Sequence, residues 1–141
     1  MSDILFVCVH NAGRSQMARA LFNREAQRLG LPYHADSAGT EPSGGVHAVV
    51  AQAMGELGMD IANERPKLIT NEMVQQASRV VTMGCQVDAD KCPAVFIRGV
   101  EDWGLPDPKD RPLAEVRLIR DTIQRRVAEL LAELVKTRAR P

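Results

Sequence analysis

The chain has 141 residues, of which 45% are hydrophobic and 26% are charged, as is typical of one soluble globular domain. Its 18 Lys and Arg residues balance its 18 Asp and Glu residues, and a net charge of zero argues against nucleic-acid and membrane partners. No apolar run approaches the roughly 18 residues of a membrane span, and the N-terminus lacks a signal-peptide pattern. We therefore expect a cytoplasmic, monomeric protein whose single domain spans 1–141.

The hydrophobic pattern alternates between strand and helix along the chain. In chain order it predicts a strand over 4–7, a helix over 15–29, a strand over 33–38, helices over 46–57 and 70–77, strands over 79–83 and 94–97, and a long helix from 112 onward. Gly30 supplies a stop for the first helix, Thr70 can cap the third, and Pro112 suits the first turn of the last. The Gly-, Pro- and Asp-rich segment 99–111 is predicted to be a loop.

This order of elements predicts a doubly wound α/β fold, with a mostly parallel four-stranded sheet and helices on both faces. The run 4–7 is apolar throughout, which is typical of a strand buried on both faces of such a sheet. Ligands of these folds bind beyond the carboxyl ends of the strands. The loops after Val7, Ala38, Met83 and Ile97 are therefore expected to share the edge that holds the functional site.

The strongest functional signal is the segment Cys8-Val9-His10-Asn11-Ala12-Gly13-Arg14-Ser15, between the first strand and the first helix. Backbone N–H groups of such a turn, together with the helix N-terminus, can hold an oxyanion. Arg14 adds a planar fork that matches two oxygens of that anion, so residues 9–15 are the predicted substrate-binding loop. The same positive field favours a reactive thiolate at Cys8, to which Ser15 can donate a hydrogen bond. His10 either tunes this site or points outward, while His34 and His47 are interpreted as surface or packing residues.

Residues 8–18, CVHNAGRSQMA, resemble the active-site loop of low-molecular-weight tyrosine phosphatases, and more closely that of arsenate reductases with the same fold. Further matching stretches cover nearly the whole chain in order: SAGT at 37–40, the pattern over 53–61, VVTMxC at 80–85, DWG at 102–104 and DP at 107–108. The resemblance implies this phosphatase-like fold and an enzyme that reduces arsenate to arsenite for arsenic detoxification. Phosphate and sulfate would then be analogues of the substrate.

A proton donor for the departing oxygen is also implied by the resemblance. In the resembling family the Asp of the Asp-Pro pair has this role, which assigns it to Asp107. Asp102 and Asp110 lie nearby in sequence and are competing candidates.

The remaining cysteines, Cys85 and Cys92, are interpreted as a redox relay. In thioredoxin-coupled arsenate reductases, two such cysteines separated by six residues move the oxidation away from the first one. Those enzymes usually carry a further cysteine at the position of Gly13. The segment 10–18, HNAGRSQMA, instead resembles the corresponding segment of reductases that use a low-molecular-weight thiol with a glutaredoxin-like protein. The sequence therefore leaves the external reductant open between these two systems, and it predicts no bound cofactor.

Two other function classes use the same segment. A phosphotyrosine or small-phosphoester phosphatase would share Cys8, Arg14 and Asp107, although Lys109-Asp110-Arg111 stand where such phosphatases often carry tyrosines and the only Tyr is Tyr33. A non-catalytic oxyanion-binding module would need the loop but not Asp107. A structural zinc site is not expected, because the 3 cysteines and 3 scattered histidines do not offer four ligands at recognised spacing.

Overall fold

The computed structural model describes residues 3–83 and 101–138, so the predicted strand over 94–97 lies outside the described residues. The described strands are β1 (Ile4–Cys8), β2 (Ala35–Gly39), β3 (Arg79–Thr82) and β4 (Glu101–Asp102). The described helices are α1 (Arg14–Arg28), α2 (Ala48–Gly55), α3 (Asn71–Gln76) and α4 (Leu113–Arg138). None of these four helices has the length and apolar character that crossing a membrane requires.

The four strands form one parallel sheet in the order β2-β1-β3-β4, which confirms the predicted α/β class. The register places Cys8 opposite Gly39, and Val7 opposite Thr82. Because β2 and β3 flank β1 on opposite sides, the chain changes direction across the sheet at the end of β1, which is where doubly wound folds bind ligands. Cys8 therefore stands at the carboxyl edge, at the point where the topology favours a site.

Strand β1 is buried on both faces, as its apolar run predicts. Ile4, Phe6 and Cys8 belong to the larger core, which α1, α2 and α4 cover, while Leu5 and Val7 belong to a smaller core beneath α3. In the larger core the ring of Phe6 packs against those of Phe22 and Trp103, with centroids 6.1 and 5.4 Å apart. Burying side chains of this size stabilises the fold by about 1.5–3 kcal/mol each, so the strand that carries Cys8 is held rigidly.

The structure tests two of the predicted boundaries, the start of α3 and the extent of the loop over 99–111. Thr70 caps α3, because its hydroxyl oxygen accepts the N–H of Met73 at 3.2 Å, as predicted. The loop prediction for 99–111 is wrong at Glu101 and Asp102, which form the short strand β4 beside Val81 and Thr82. Both residues of β4 are polar and exposed, so no hydrophobic pattern marks this strand.

Helices α2 and α4 are joined by an ion-pair cluster around Glu56. The Glu56 carboxylate accepts hydrogen bonds from Arg117, at 2.5–3.1 Å, and from the buried Arg120 at 2.8 Å. Arg120 also donates to the carbonyl of Ala53 at 2.8 Å, so it stabilises the last turn of α2. Hydrogen bonds from Arg117 and then Arg120 lower the pKa of Glu56 from 4.5 to about 2.

We predict that Glu56→Gln makes the protein less stable at neutral pH and less sensitive to acid. Because folding depresses the pKa of Glu56, its stabilising contribution is complete above about pH 4.5 and is lost as the pH falls towards 2. Thermal unfolding between pH 7 and pH 3 should therefore show a difference in Tm between wild type and variant that narrows as the pH falls. Glu25→Gln, which removes a surface ion pair with Arg28 within one helix, should lower Tm by a smaller amount. A Tm difference between wild type and Glu56→Gln that does not narrow in acid would contradict the lowered pKa of Glu56.

Candidate active site

Residues 8–15, here called the anion loop, are held from outside by the segment 40–47. Backbone N–H groups of that segment donate to four carbonyls of the loop: Thr40 to Cys8 at 3.2 Å, Glu41 to Val9 at 2.7 Å, Ser43 to His10 at 3.1 Å and His47 to Ala12 at 2.9 Å. In a trans peptide the N–H points away from the carbonyl of the same unit. The N–H groups that follow these carbonyls are therefore turned towards the interior of the loop, as anion binding requires.

Gly39 allows the end of β2 to approach this loop closely. A Cβ at this position would lie 2.5 Å from the carbonyl oxygen of Val9 and 3.0 Å from the backbone nitrogen of Asn11. Both are backbone atoms, which a side chain could not displace without moving the loop. The glycine of the SAGT stretch is thus explained by packing against the anion loop.

Cys8 is the buried thiol at the base of the loop, with 3% of its surface exposed. Its Sγ accepts the backbone N–H of Asn11 at 3.2 Å and lies 2.8 Å from the hydroxyl oxygen of Ser15. The Asn11 side-chain amide donates to that hydroxyl oxygen at 2.7 Å. Because this bond uses an acceptor position of Ser15, the Ser15 proton is free to point at Sγ, so that two hydrogen-bond donors face the sulfur.

Asn11 organises the loop through its unusual backbone and its side chain. Its φ of 51° is in the left-handed region that Asn tolerates better than most residues. Its carbonyl oxygen Oδ1 accepts the backbone N–H of Lys67 at 2.9 Å and the side-chain amide of Gln16 at 3.2 Å. These two bonds fix which end of the amide faces Ser15. No sequence signal marks the contacts from Gln16 and Lys67.

Arg14 faces the same site, and only 7% of its side chain is exposed. Its Nη1 donates to the carbonyls of Leu105, at 2.6 Å, and Met83, at 3.2 Å. These acceptors follow β4 and β3, so the sheet edge itself orients the guanidinium. Its Nη2 lies 4.0 Å from the carboxylate of Asp107. No sequence signal marks the two carbonyl contacts, because they involve backbone atoms far away along the chain.

Asp107 reaches the site from the loop between β4 and α4, with 48% of its side chain exposed. Of the three candidate acids, Asp107 pairs with Arg14, whereas the Asp102 carboxylate accepts the hydroxyl of Thr82 at 3.0 Å. Asp110 occupies a turn position with φ 60°. The structure therefore brings together Cys8, Arg14, Ser15 and Asp107, while Cys85 and Cys92 lie outside the described residues.

The histidines differ in their relation to the site. His10 uses Nδ1 to contact the carbonyl oxygen of Glu41 at 3.0 Å, so its ring braces the loop from outside. His34 is exposed, away from any described site contact. His47 is half-buried near Asp107, and burial lowers its pKa, an effect that the Asp107 charge opposes. Within 3–83 and 101–138, no three His, Cys, Asp or Glu side chains are grouped as metal ligands would be.

Comparisons with known proteins agree with this geometry. The family described as Low molecular weight phosphotyrosine protein phosphatase matches residues 3–140. The chain is 36% identical to Arsenate reductase 1 of Staphylococcus haemolyticus over 134 residues, covering 94% of this chain and 96% of that protein. It is 35% identical to an arsenate reductase of Staphylococcus aureus over 122 residues, covering 86% and 89% of the two chains.

Solved structures give the same fold. An arsenate reductase in its phosphate-binding state superimposes with a TM-score of 0.80 at 30% identity, over 94% of this chain and 98% of that one. A thioredoxin-dependent arsenate reductase of Corynebacterium glutamicum gives 0.75 at 32% identity, over 97% and 63%. The YwlE arginine phosphatase, in a mutant form with a phosphorylated active-site serine, gives 0.84 at 26% identity, over 95% and 96%.

Proposed function

The chain belongs to the low molecular weight phosphotyrosine protein phosphatase family, and we propose that this member is a thiol-dependent oxidoreductase that reduces arsenate to arsenite. The observation that carries the proposal is the Cys8 thiol, hydrogen-bonded by Asn11 and Ser15 inside an anion loop that Arg14 closes. Relatives at 35–36% identity over most of the chain are named arsenate reductases. Arsenate is a tetrahedral oxyanion, and phosphate or sulfate would occupy the same loop as analogues.

Binding comes from the loop and from Arg14. The N–H groups turned inward by the 40–47 segment, together with the N-terminus of α1, supply partial positive charge around the anion. Nη1 of Arg14 is occupied by the carbonyls of Met83 and Leu105, which leaves Nη2 and Nε to bind two anion oxygens. The substrate's central atom would then lie above Sγ of Cys8.

In the first chemical step the Cys8 thiolate attacks arsenic(V). A sulfur–arsenic bond forms, an arsenic–oxygen bond breaks, and the departing oxygen takes a proton from Asp107 and leaves as water. Asp107 suits this role because it lies 4.0 Å from Arg14 yet remains half-exposed, so it can be reprotonated from solvent. The product of this step is Cys8 linked through sulfur to arsenic.

The reduction step breaks that sulfur–arsenic bond. We propose that the Cys85 thiolate attacks Sγ of Cys8, so that a Cys8–Cys85 disulfide forms and arsenic keeps both electrons and leaves as arsenite. Cys92 then attacks Cys85 and releases the Cys8 thiolate. Met83, whose carbonyl is bonded to Arg14, precedes Cys85 by two positions in the sequence. Overall, arsenate and two thiols yield arsenite, water and one disulfide.

An external thiol reductant must return the enzyme to its starting state. Thioredoxin would reduce a Cys85–Cys92 disulfide by exchange. Alternatively, a low-molecular-weight thiol would form a mixed adduct with the arsenylated Cys8, which a glutaredoxin-like protein resolves. The relation to the thioredoxin-dependent enzyme of C. glutamicum supports the first, and Gly13 in the anion loop is the feature that keeps the second open.

The phosphatase hypothesis shares the first step but ends with water attacking the intermediate. The single Tyr of the chain is committed to the fold, because the Tyr33 hydroxyl donates to the carbonyl of Leu134 at 3.3 Å. Arg111, near the acid, donates to the carbonyl of Asp107 at 2.7 Å and pairs with Glu115. Residues 107–111 thus offer no aromatic side chain that could hold a tyrosyl group beside Asp107.

The test is arsenate-dependent NADPH oxidation with thioredoxin and thioredoxin reductase, compared with a low-molecular-weight thiol and a glutaredoxin-like protein. With the relay, Cys85→Ser should release no arsenite, and Cys92→Ser should release about one equivalent and then stop, because the Cys8–Cys85 disulfide is trapped. If both variants are fully active with the low-molecular-weight thiol and the glutaredoxin-like protein, the relay is not used and the mixed-adduct route is supported instead. Phosphoester cleavage without arsenite from either system would establish the phosphatase instead.

A further inference from the structure

Four hydrogen bonds, here called the amide network, connect Arg19 on α1 with the sulfur of Cys8. Nη2 of Arg19 donates to Oε1 of Gln16 at 3.3 Å, and Nε2 of Gln16 donates to Oδ1 of Asn11 at 3.2 Å. The network continues through the two bonds described above, from the Asn11 amide to Ser15 at 2.7 Å and from Ser15 to the sulfur at 2.8 Å. Gln16 and Arg19 are three positions apart, so their side chains share one face of α1.

The direction of every bond in this network is fixed by two groups that can only donate. A backbone N–H and a guanidinium have no acceptor atom, so each one decides which end of an amide faces it. The N–H of Lys67 meets Oδ1 of Asn11 at 2.9 Å, which leaves Nδ2 of that amide facing Ser15. The guanidinium of Arg19 meets Oε1 of Gln16, which leaves Nε2 facing Asn11. All donors therefore point towards the sulfur, and bonds aligned in this way strengthen one another.

Gln16 depends on Arg19 because its amide is buried, with 1% of the residue exposed. Without Arg19, Oε1 of Gln16 would be a buried acceptor without a partner, which costs free energy. We expect the amide to turn in order to satisfy that oxygen, and its bond to Asn11 would then be lost. Arg19 is in turn held by Glu64, whose carboxylate lies 3.4 Å from Nη2.

We propose that Arg19 and Gln16 are positioning residues for the nucleophile. Together they hold the Asn11 amide in the orientation that leaves the Ser15 proton directed at the sulfur. If that amide turned, its Oδ1 would face Ser15 and accept the proton, so the sulfur would lose one of its two donors. Hydrogen bonds to a charged atom are about twice as strong as neutral ones, so the loss would affect the steps in which the sulfur attacks or departs.

Neither positioning residue touches a reacting atom. Arg19 lies beyond the segment 8–18 that carries the family resemblance, and it is these contacts that point to it. The inference rests on the proposed function for the identity of the anion, although the same nucleophile would serve any oxyanion that Cys8 attacks.

The first measurement is turnover. Gln16→Glu keeps the shape of the side chain but offers only acceptors, so it attracts Arg19 and repels Oδ1 of Asn11. It should lower kcat for arsenate at least about 20-fold, as expected when a hydrogen bond to a charged atom is lost. Gln16→Met and Arg19→Met, which remove bonds without adding repulsion, should lower kcat by about 3- to 10-fold.

Glu64→Gln is the matched control for these variants. It removes the ion pair of Arg19 and leaves the bond from Arg19 to Gln16 in place, so kcat should stay within about twofold of wild type. A loss as large as that of Arg19→Met would mean that charge at this surface, and not the amide network, affects turnover.

A double-variant cycle with Ser15→Ala shows whether the effect passes through the hydroxyl. In Ser15→Ala the sulfur has already lost this donor, so adding Gln16→Glu should lower kcat by less than about twofold further. Phosphate affinity, measured by calorimetry, should stay within about threefold of wild type in Gln16→Glu, because the loop N–H groups and Arg14 are unchanged. Fully additive losses of kcat, or a parallel loss of phosphate binding, would overturn the proposal.

The orientation of the Asn11 amide can also be measured without a substrate. In ¹⁵N-labelled protein, its Nδ2 protons should exchange with solvent at least about tenfold faster in Gln16→Glu than in wild type, since the group that holds the amide is lost. Glu64→Gln should exchange at the wild-type rate. A lower kcat in Gln16→Glu with unchanged exchange would contradict the role of this amide.

These outcomes separate the inference from the proposed function. If wild type reduces no arsenate, the same variants are compared with an aryl phosphate as substrate, and the exchange measurement is unchanged. Failure of arsenate reduction with intact coupling between Gln16 and Ser15 would remove the proposed substrate alone. Arsenate reduction without that coupling would remove the role of Arg19 and Gln16 alone.

Discussion

Replacing Cys8 with serine should lower arsenate turnover at least about a thousand-fold, because a serine hydroxyl is a poor nucleophile here and cannot form a disulfide. The substitution exchanges one buried atom, and the N–H of Asn11 and the hydroxyl of Ser15 can still bond to the new oxygen. The anion loop should therefore keep its shape. Steady-state arsenite formation with an excess of reductant measures the loss.

Phosphate binding is the control for this variant. Calorimetry should give an affinity within about threefold of wild type, since the loop N–H groups and Arg14 supply most of the attraction. Loss of both binding and turnover would show that Cys8→Ser disturbs the loop. Turnover within about tenfold of wild type would mean that another group, and not Cys8, attacks the anion.

The part of the site predictable from sequence is the part built from neighbouring residues. The apolar run before Cys8 and the helical pattern after Ser15 predict a strand–loop–helix turn, and residues within such a turn can meet without help from the rest of the chain. This is how Cys8, Asn11 and Ser15 come within hydrogen-bond distance of one another. The parallel sheet follows similarly, because the order of its elements admits few right-handed connections.

The rest depends on backbone atoms far apart in sequence, for which residue type carries no signal. Arg14 is oriented by carbonyls of Met83 and Leu105, and any residue offers a carbonyl. The bonds from 40–47 that turn the anion loop inward are also purely backbone contacts.

The sequence pattern alone does not mark Asp107 as an acid, because an Asp before a Pro is common in turns. The assignment came from the family resemblance. The structure adds the ion pair with Arg14, and it gives Asp102 a different partner in Thr82. We expect Asp107→Asn to lower kcat for arsenate by about 10²- to 10⁴-fold, because an amide cannot supply the proton that the departing oxygen needs.

Binding distinguishes a catalytic Asp107 from one that only shapes the site. The carboxylate lies 4.0 Å from Arg14 and repels an incoming anion, so Asp107→Asn should bind phosphate as tightly as wild type or more tightly. Asp110→Asn, three positions along the same loop, is the matched control and should leave kcat within about twofold. A non-catalytic oxyanion-binding module would show no turnover in the wild type, so Asp107→Asn could not lower it. If the variant instead lost phosphate binding and turnover in parallel, Asp107 would be holding Arg14 in place rather than delivering the proton.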